Sequence, residues 1–356
     1  MNKRFVKEKA TEFIKVIAFI LLFLLVVEGV SIGFFSEATA TRYNNSKKDA
    51  YSFINEQFYS IQIVGVGNSD LYSGFSPLAM WKDYRITSLV SAAPRQTLQE
   101  SYSLLEMIFE SQNPQLVIIE TDMFYDHNPE SDNSIREQDR LASLFDRLDP
   151  DFFTHEVENV FSVFKFHNYW KGGDSKESNI PYNTHGYRFN NTVYRLKKTK
   201  YMTKTDKLEQ LSGFNKSQMD KLIELCRAKG ADVLLLEMPS ISSWNCERHN
   251  AVMNYAKERN VPFVDLNFHY DDIGINMTNC FRDKGNHLNH AGAVATTNFI
   301  CKYIKENYQI EKQKDKTICK SWDEDLKKFE RFVKWTEQQK KKKSKQVAEH
   351  GEFKRN

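Results

Sequence analysis

The chain has 356 residues, of which 40% are hydrophobic and 27% charged, and its formal net charge at pH 7 is +3. This composition suits a globular protein with one main domain, and it excludes a disordered or collagen-like chain. The excess positive charge lies at the two ends of the sequence, so the central region is mildly acidic. A nucleic-acid-binding function is disfavoured, because phosphate contacts need a basic surface.

The first predicted element is an apolar segment at residues 16–35, VIAFILLFLLVVEGVSIGFF. Its length matches the roughly 20 helical residues that cross a bilayer. Five basic residues precede it: Lys3, Arg4, Lys7, Lys9 and Lys15. They predict a cytoplasmic amino terminus, so we expect a single-pass protein of the cell membrane whose remaining residues are extracytoplasmic.

The predicted domain organisation follows from this segment. It consists of a cytoplasmic basic segment at 1–15, a transmembrane anchor at 16–35, a juxtamembrane connector at 36–59, an α/β domain at 60–310 with an insertion at about 124–204, and a charged amphipathic helix with a basic tail at 311–356. A cleaved signal peptide is the alternative to the anchor, because Ala38-Thr39-Ala40 offers a small-residue cleavage site. Both alternatives export the domain.

Short apolar runs alternate with helical patterns in the predicted domain. The predicted strands are Ile61–Gly67, Arg85–Val90, Gln115–Glu120, Asp232–Met238 and Val261–Leu266. The helical patterns cover Thr97–Ser111, Lys216–Lys229, Asn245–Asn260 and about Asn289–Glu306. Because strands and helices alternate, we expect a flavodoxin-like three-layer α/β/α sandwich with a parallel sheet.

Two polar loops contain the candidate catalytic residues. Ser69 follows the first predicted strand in the sequence GNSDL, and Asp283 and His287 lie in DKGNHLN before the last predicted helix. An acid can hold one histidine ring nitrogen while the other takes a proton from serine. The loops after the first and last strands meet at one edge of a doubly wound sheet, so a Ser69-His287-Asp283 triad is predicted.

Other interpretations of these loops remain open. Serine before a helix is an ordinary cap, and His287 also fits a capping loop. A metal site at His287 and His290 lacks further close ligands, so no metal and no cofactor are expected. Among the five cysteines, Cys280 and Cys301 are the favoured disulfide candidates because they flank the Asp-His loop and the last helix.

The blocks GNSDL and DKGNHLNHAGA together resemble the SGNH, or GDSL-type, hydrolase superfamily, in particular its membrane-anchored members in Gram-positive bacteria. The resemblance covers roughly residues 60–307. It implies that Ser69 attacks an ester and that His287 and Asp283 activate this serine. It also implies that Ser69, Ala92 and Asp122 form the oxyanion hole. Ala92 lies at a position where the superfamily usually has glycine. Asp122 lies near the position where the superfamily has asparagine. An ionised Asp122 would repel an oxyanion, so a structural carboxylate is the alternative for this residue.

A carbohydrate-sized cleft is expected beside these residues, because aromatic rings cover sugar C–H surfaces and arginine binds anionic groups. The candidate substrate-binding residues are Gln96, His167, Trp170, Tyr187, Arg188 and Trp244. Core packing is the alternative for the aromatic ones. The basic run at 340–345 is either a solvated tail or an attachment to anionic lipids or wall polymers.

The resemblance implies a membrane-anchored serine acyl-ester hydrolase or O-acyltransferase that acts on a cell-envelope polysaccharide or wall polymer. The expected partners are that glycan or acylated polymer, a membrane acyltransferase and, through the amino-terminal helix, the lipid bilayer. The alternative is a non-catalytic glycan-binding or scaffold subunit associated with a membrane acyltransferase. Ala92 and Asp122 favour this alternative, whereas the presence of Ser69, Asp283 and His287 favours catalysis.

Overall fold

A computed structural model describes residues 3–34, 48–125, 183–197 and 200–352 of the chain. His167, Trp170 and most of the expected insertion lie outside the described residues. The α/β fold lies in the compact unit formed by Asp49–Asn128 and Ser178–Asn356. The amino-terminal helix belongs to the other unit.

Helix α1 spans Lys3–Phe34 and includes most of the predicted apolar segment. In the part of the chain that the structure describes, no helix has both the length and the apolar character needed to cross a membrane. The transmembrane span predicted at 16–35 is therefore unsupported by the structure.

Five short strands form a single parallel sheet. They are β1 Ile63–Gly67, β2 Ser88–Ala92, β3 Leu116–Glu120, β4 Asp232–Glu237 and β5 Phe263–Asp265. The order across the sheet is β2-β1-β3-β4-β5, and every neighbouring pair is parallel. This is the doubly wound order of flavodoxin. The predicted parallel α/β sheet is confirmed.

Helices connect the strands and cover the sheet. They are α2 Ser69–Gly74, α3 Pro77–Tyr84, α4 Leu98–Ser111, α5 Gly213–Ala228, α6 Cys246–Arg259, α7 Tyr270–Ile273, α8 His290–Asn307 and α9 Lys316–Glu352. Side-chain caps mark the amino-terminal ends of several helices. Thr97 and Glu100 form a capping box at the start of α4, and Asn289 caps the start of α8. Helix α8 packs against α2 and α3, and α4 packs against α5. The central strands are buried on both faces, which explains their continuous apolar runs.

Helix α9 docks its first half on the domain. The Trp322 ring stacks on His185 with centroids 3.7 Å apart, and its exposed fraction is only 2%. Asp323 accepts a hydrogen bond from Trp81 Nε1 at 2.9 Å and forms an ion pair with Arg85. The helix continues to Glu352 and includes the basic run at 340–345.

All five cysteines are free thiols, and those at 280 and 301 are buried. The backbone N–H of Asn276 donates to Cys280 Sγ at 3.3 Å, and Cys301 lies in the main hydrophobic core. The disulfide predicted between Cys280 and Cys301 is therefore wrong. Both side chains act as small buried hydrophobic groups.

Candidate active site

The turn after β1 holds Ser69 at the start of α2. Asn68 caps this helix, because its side-chain oxygen accepts a hydrogen bond from the Asp70 backbone at 2.9 Å. The Asn68 backbone N–H donates to Glu120 Oε2 at 2.6 Å, and its Nδ2 donates to Asp122 Oδ2 at 3.1 Å. Two acidic residues at the end of β3 thus fix the turn that presents the serine.

Gly67 permits the close approach of β1 and β3 below this turn. A Cβ atom at this position would lie 2.4 Å from Glu120 Oε2 and 2.7 Å from Glu120 Cβ. Glycine is needed here because it leaves room for the acceptor of the Asn68 N–H. The sequence pattern showed this residue only as the end of an apolar strand.

Asp283 organises the loop that contains His287. Its Oδ1 accepts the backbone N–H groups of Gly285, Asn286 and His287 at 3.2, 2.9 and 3.0 Å. Its Oδ2 lies 2.5 Å from His287 Nδ1. Burial raises the pKa of Asp283, but these hydrogen bonds outweigh burial and hold the pKa well below its usual range. The carboxylate is therefore ionised and keeps the Nδ1–H tautomer of the ring.

The second ring nitrogen of His287 reaches the serine. The distance from His287 Nε2 to Ser69 Oγ is 2.8 Å. Because Asp283 holds the proton on Nδ1, Nε2 is free to accept the hydroxyl hydrogen. The His287 side chain is 19% exposed and Ser69 is half-buried, so solvent reaches the pair. The structure thus brings together the three residues predicted as a triad.

Asp70 is a second acid beside the histidine, and the sequence reasoning missed it. Its Oδ1 lies 3.6 Å from His287 Nε2, and the residue is 4% exposed. Its position immediately after Ser69 is the sequence feature that could have identified Asp70 as a residue of the site.

The predicted oxyanion residues have different surroundings. Ala92 ends β2, is fully buried and pairs in register with Gly67, beside the serine turn. Asp122 accepts from Asn68, and its Oδ1 lies 3.6 Å from an Arg248 guanidinium nitrogen. An ionised carboxylate has no hydrogen to donate to an oxyanion. The contact with Asn68 gives Asp122 a role in orienting the serine turn, and its place in the oxyanion hole stays a prediction.

Several carboxyl groups lie at the carboxyl ends of β3, β4 and β5. Glu237 is fully buried, and its Oε2 accepts a hydrogen bond from Thr121 Oγ1 at 2.6 Å. Burial, together with the charges of Asp122, Asp265 and Glu120, raises the pKa of Glu237 well above its ordinary value. These effects disfavour the ionised form of Glu237. Within the described ranges, no cluster of three or more histidine, cysteine or acidic side chains is arranged to bind a metal.

Two candidate substrate-binding residues are held in the interior by structural contacts. Gln96 is 1% exposed, and its Nε2 donates to the Ser91 carbonyl and to Ser101 Oγ, both at 3.0 Å. Trp244 is 2% exposed, and its Nε1 donates to Asp265 Oδ2 at 2.8 Å. These contacts give both residues packing roles in place of the predicted contact with substrate.

Two candidates that lie within the expected insertion are also engaged within the protein. Tyr187 is 3% exposed, and its hydroxyl lies 3.1 Å from His290 Nδ1. Arg188 forms an ion pair with Asp49, and its guanidinium lies 4.5 Å from the centre of the Tyr72 ring. Tyr187 is thus a core residue, and Arg188 already has a counter-ion.

Comparisons with known proteins give only distant likenesses. No family model matches the chain, and no curated protein matches it. Similar solved structures include a lipolytic protein of the G-D-S-L family from Desulfitobacterium hafniense (12% identity, 68% of this chain and 98% of that chain, TM-score 0.35). Others are a GDSL-like lipase from Bacteroides thetaiotaomicron (13%, 74% and 98%, TM-score 0.36) and a lipase/acylhydrolase from Enterococcus faecalis (9%, 72% and 100%, TM-score 0.35). Likenesses this weak carry no inference about function.

Proposed function

We propose that the protein is a serine acyl-ester hydrolase or O-acyltransferase of the SGNH type. One observation carries the proposal: Ser69 Oγ, the His287 ring and the Asp283 carboxylate form a continuous chain of contacts, with distances of 2.8 and 2.5 Å. Ser69 and His287 are 218 residues apart in the sequence, so the contact comes from the tertiary fold. Nucleophile, base and orienting acid in this geometry suit acyl transfer.

In the first half of the reaction, Ser69 Oγ attacks the carbonyl carbon of an ester and His287 Nε2 takes the hydroxyl proton. The bond between the acyl carbon and the alcohol oxygen then breaks, and Nε2 returns the proton to that oxygen. Water or a second alcohol attacks the acyl-serine in the second half and passes its proton to Nε2. Ser69 Oγ leaves and takes that proton from Nε2, so the free enzyme is regenerated in its starting protonation state.

The backbone N–H groups of Ser69 and Ala92 are the proposed oxyanion donors. Their support is the register between Gly67 and Ala92, which places the end of β2 next to the serine turn. Preorganised donors of this kind stabilise the negative oxygen of the tetrahedral intermediate. Arg248 assists by balancing the charge of Asp122, which would otherwise oppose an oxyanion.

The proposed natural substrate is an O-acylated cell-envelope polysaccharide or wall polymer, met outside the cytoplasm, with a membrane acyltransferase as partner. The support is in the sequence alone, where basic residues at 3–15 precede the apolar run at 16–35. Cell fractionation, protease accessibility on intact cells, and release of acyl groups from isolated envelope polymers test this part. A protein found only inside the cell would contradict it.

A fluorophosphonate probe tests the catalytic proposal directly, because such probes label activated serines. The wild-type protein should be labelled, and Ser69→Ala should not be. Ser217→Ala is the matched control, since Ser217 is an exposed serine on α5, and it should be labelled like the wild type. An unlabelled wild-type protein would contradict the enzyme proposal and favour the scaffold alternative.

A further inference from the structure

A polar ledge borders His287 on the side of the β4–α6 loop. We use this name for Ser240, Ser242 and Asn286. Asn286 Oδ1 accepts hydrogen bonds from Ser242 Oγ at 2.9 Å and from Ser240 Oγ at 3.4 Å. The other end of the same amide, Nδ2, lies 3.4 Å from His287 Nε2. The Asn286 amide therefore connects the two serines to the ring nitrogen of His287 that accepts the serine proton.

The ledge is held by contacts between two loops. The Ile241 backbone N–H donates to the Gly285 carbonyl at 2.7 Å, and the Ser240 N–H donates to Asn267 Oδ1 at 2.9 Å. Gly285 has a φ of +106°, and a Cβ atom there would lie 3.0 Å from the Ile241 side chain. The backbone of Asn286 is also bonded to Asp283. The ledge is thus fixed relative to the histidine before any substrate arrives.

The position of the amide indicates what it would bind. His287 Nε2 must approach the oxygen of the leaving alcohol in order to protonate it, so that oxygen lies within hydrogen-bond distance of Nε2. An Nδ2 to Nε2 separation of 3.4 Å is long for a hydrogen bond between the two nitrogens. An oxygen that contacts Nε2 would therefore also lie within reach of the Nδ2 hydrogens.

We propose that the ledge is the binding site for the alcohol part of the ester, and that it selects a polyhydroxylated alcohol, such as a sugar or polyol, over a simple one. This inference rests on the proposed function and adds to it the residues that bind and select the alcohol. Asn286 Nδ2 donates to the reacting alcohol oxygen. The exposed Ser242 hydroxyl and the half-buried Ser243, whose Oγ lies 2.6 Å from Ser240 Oγ, contact neighbouring hydroxyls.

The ledge binds the leaving alcohol in the first half of the reaction and the attacking alcohol in the second half. When the ester bond breaks, the electron pair goes to the alcohol oxygen, Asn286 stabilises the developing charge and Nε2 supplies the proton. When an acceptor alcohol attacks the acyl-serine, the same amide holds its oxygen while Nε2 removes the proton. A ledge that holds a polyol at this point favours transfer to a hydroxyl over hydrolysis by water.

The test compares two acetate esters that share an acyl group and differ in the alcohol. The p-nitrophenolate of p-nitrophenyl acetate leaves without protonation, whereas glycerol monoacetate releases glycerol, a polyol that needs a proton. For the full chain with Asn286→Ala, kcat/KM should fall about 10–100-fold for glycerol monoacetate and stay within about threefold of wild type for p-nitrophenyl acetate. The rate of fluorophosphonate labelling should stay near that of wild type.

Two further variants provide a second test of the ledge and a matched control. Ser242→Ala changes an exposed side chain and should raise KM for the glycerol ester without changing the p-nitrophenyl ester, even if Asn286→Ala folds poorly. Asn307→Ala is the matched control, because Asn307 is an exposed asparagine at the end of α8. It should leave both esters unchanged.

The outcomes separate the two proposals. Equal losses on both esters in Asn286→Ala would overturn the ledge inference and make Asn286 a residue that only positions His287. Rates on both esters that equal those of wild type in Asn286→Ala would also overturn it. The same holds if, with glycerol present as acceptor, this variant divides the acyl group between glycerol and water in the same ratio as wild type. Ester cleavage that survives Ser69→Ala would instead overturn the proposed function itself.

Discussion

Two aspartate-histidine pairs lie near the carboxyl edge of the sheet, and only one of them reaches a serine. Asp283 Oδ2 lies 2.5 Å from His287 Nδ1, and Asp265 Oδ2 lies 2.7 Å from His249 Nδ1. The same ring nitrogen faces a carboxylate in both pairs. The first pair continues to Ser69 at 2.8 Å, whereas the His249 ring packs edge-on against Phe268.

The surroundings of the two carboxylates explain this difference. Asp283 accepts backbone N–H groups from its own loop and remains partly exposed. Asp265 is buried, and it accepts hydrogen bonds from Trp244 and twice from Asn267. An Asp-His pair is therefore not a catalytic signature by itself. The position of the nucleophile decides its role, and the central strand β1 brings the serine turn to His287.

Removing each histidine ring should give the largest contrast. His287→Ala should lower kcat/KM for p-nitrophenyl acetate by at least about 10³-fold, because Ser69 then lacks its base. His249→Ala should remain within about threefold of wild type, since its ring packs among aromatic side chains. Steady-state kinetics on both variants check this. Similar losses in the two variants would show that both pairs serve the reaction.

Changing the two aspartates should separate activity from stability. Asp283→Asn should lower kcat about 10²–10⁴-fold, because the amide no longer enforces the Nδ1–H tautomer. Asp265→Asn should instead lower the free energy of unfolding by about 1–3 kcal/mol, because its Oδ2 accepts from both Trp244 and His249 and an NH₂ group cannot. Kinetics and urea unfolding measure the two effects. A catalytic loss in Asp265→Asn as deep as in Asp283→Asn would contradict the packing role.

A glycine substitution tests how strictly β1 positions the serine. Gly67→Ala should lower kcat about tenfold and the free energy of unfolding by about 1–3 kcal/mol, because the new Cβ would meet Glu120 at 2.4 Å. Gly213→Ala is the matched control, since a Cβ there meets nothing within 4 Å. Kinetics and thermal unfolding of both variants provide the measurement. If Gly67→Ala behaves like the control, the serine turn does not depend on this close approach.

Glu237 should give the smallest effect, seen as a pH dependence of stability. Its folded-state pKa is raised by burial and by the charges of Asp122, Asp265 and Glu120, so the folded protein holds a proton that the unfolded chain releases above about pH 4.5. The free energy of unfolding should therefore fall as pH rises above that value. Glu237→Gln should reduce this fall. Urea unfolding across the pH series measures the slopes, and identical slopes in wild type and variant would show that Glu237 does not carry the proton.

Local sequence patterns predicted the sheet well. The buried apolar runs at β1, β3 and β4 identify strands because each strand is covered on both faces. The helices α4, α5, α6 and α8 have capping residues and apolar spacing, so their ends were predicted to within a few residues. The disulfide was not predictable, because the separation of two sulfurs depends on how α8 and its preceding loop pack.

The candidate site was predictable only in part. Ser69, Asp283 and His287 follow from residue type and from the rule that loops meet at the carboxyl edge of a parallel sheet. Asp70 and Asn286 were missed although each is next to a predicted residue, because their roles depend on side-chain direction. Residue type alone also placed Gln96 and Trp244 in a cleft, whereas both are buried.

The sequence by itself determined the strands, the helices α4, α5, α6 and α8, and the identities of the three residues in the proposed triad, because these depend on periodicity, capping and chain order. Only the tertiary structure decided which Asp-His pair reaches a serine, that Asp122 accepts a hydrogen bond from Asn68, and that an amide lies beside His287 Nε2. Hydrogen bonds form only over a few ångströms and in narrow directions. Contacts between residues far apart in the chain are therefore set by the packing of whole elements, which local sequence patterns do not specify.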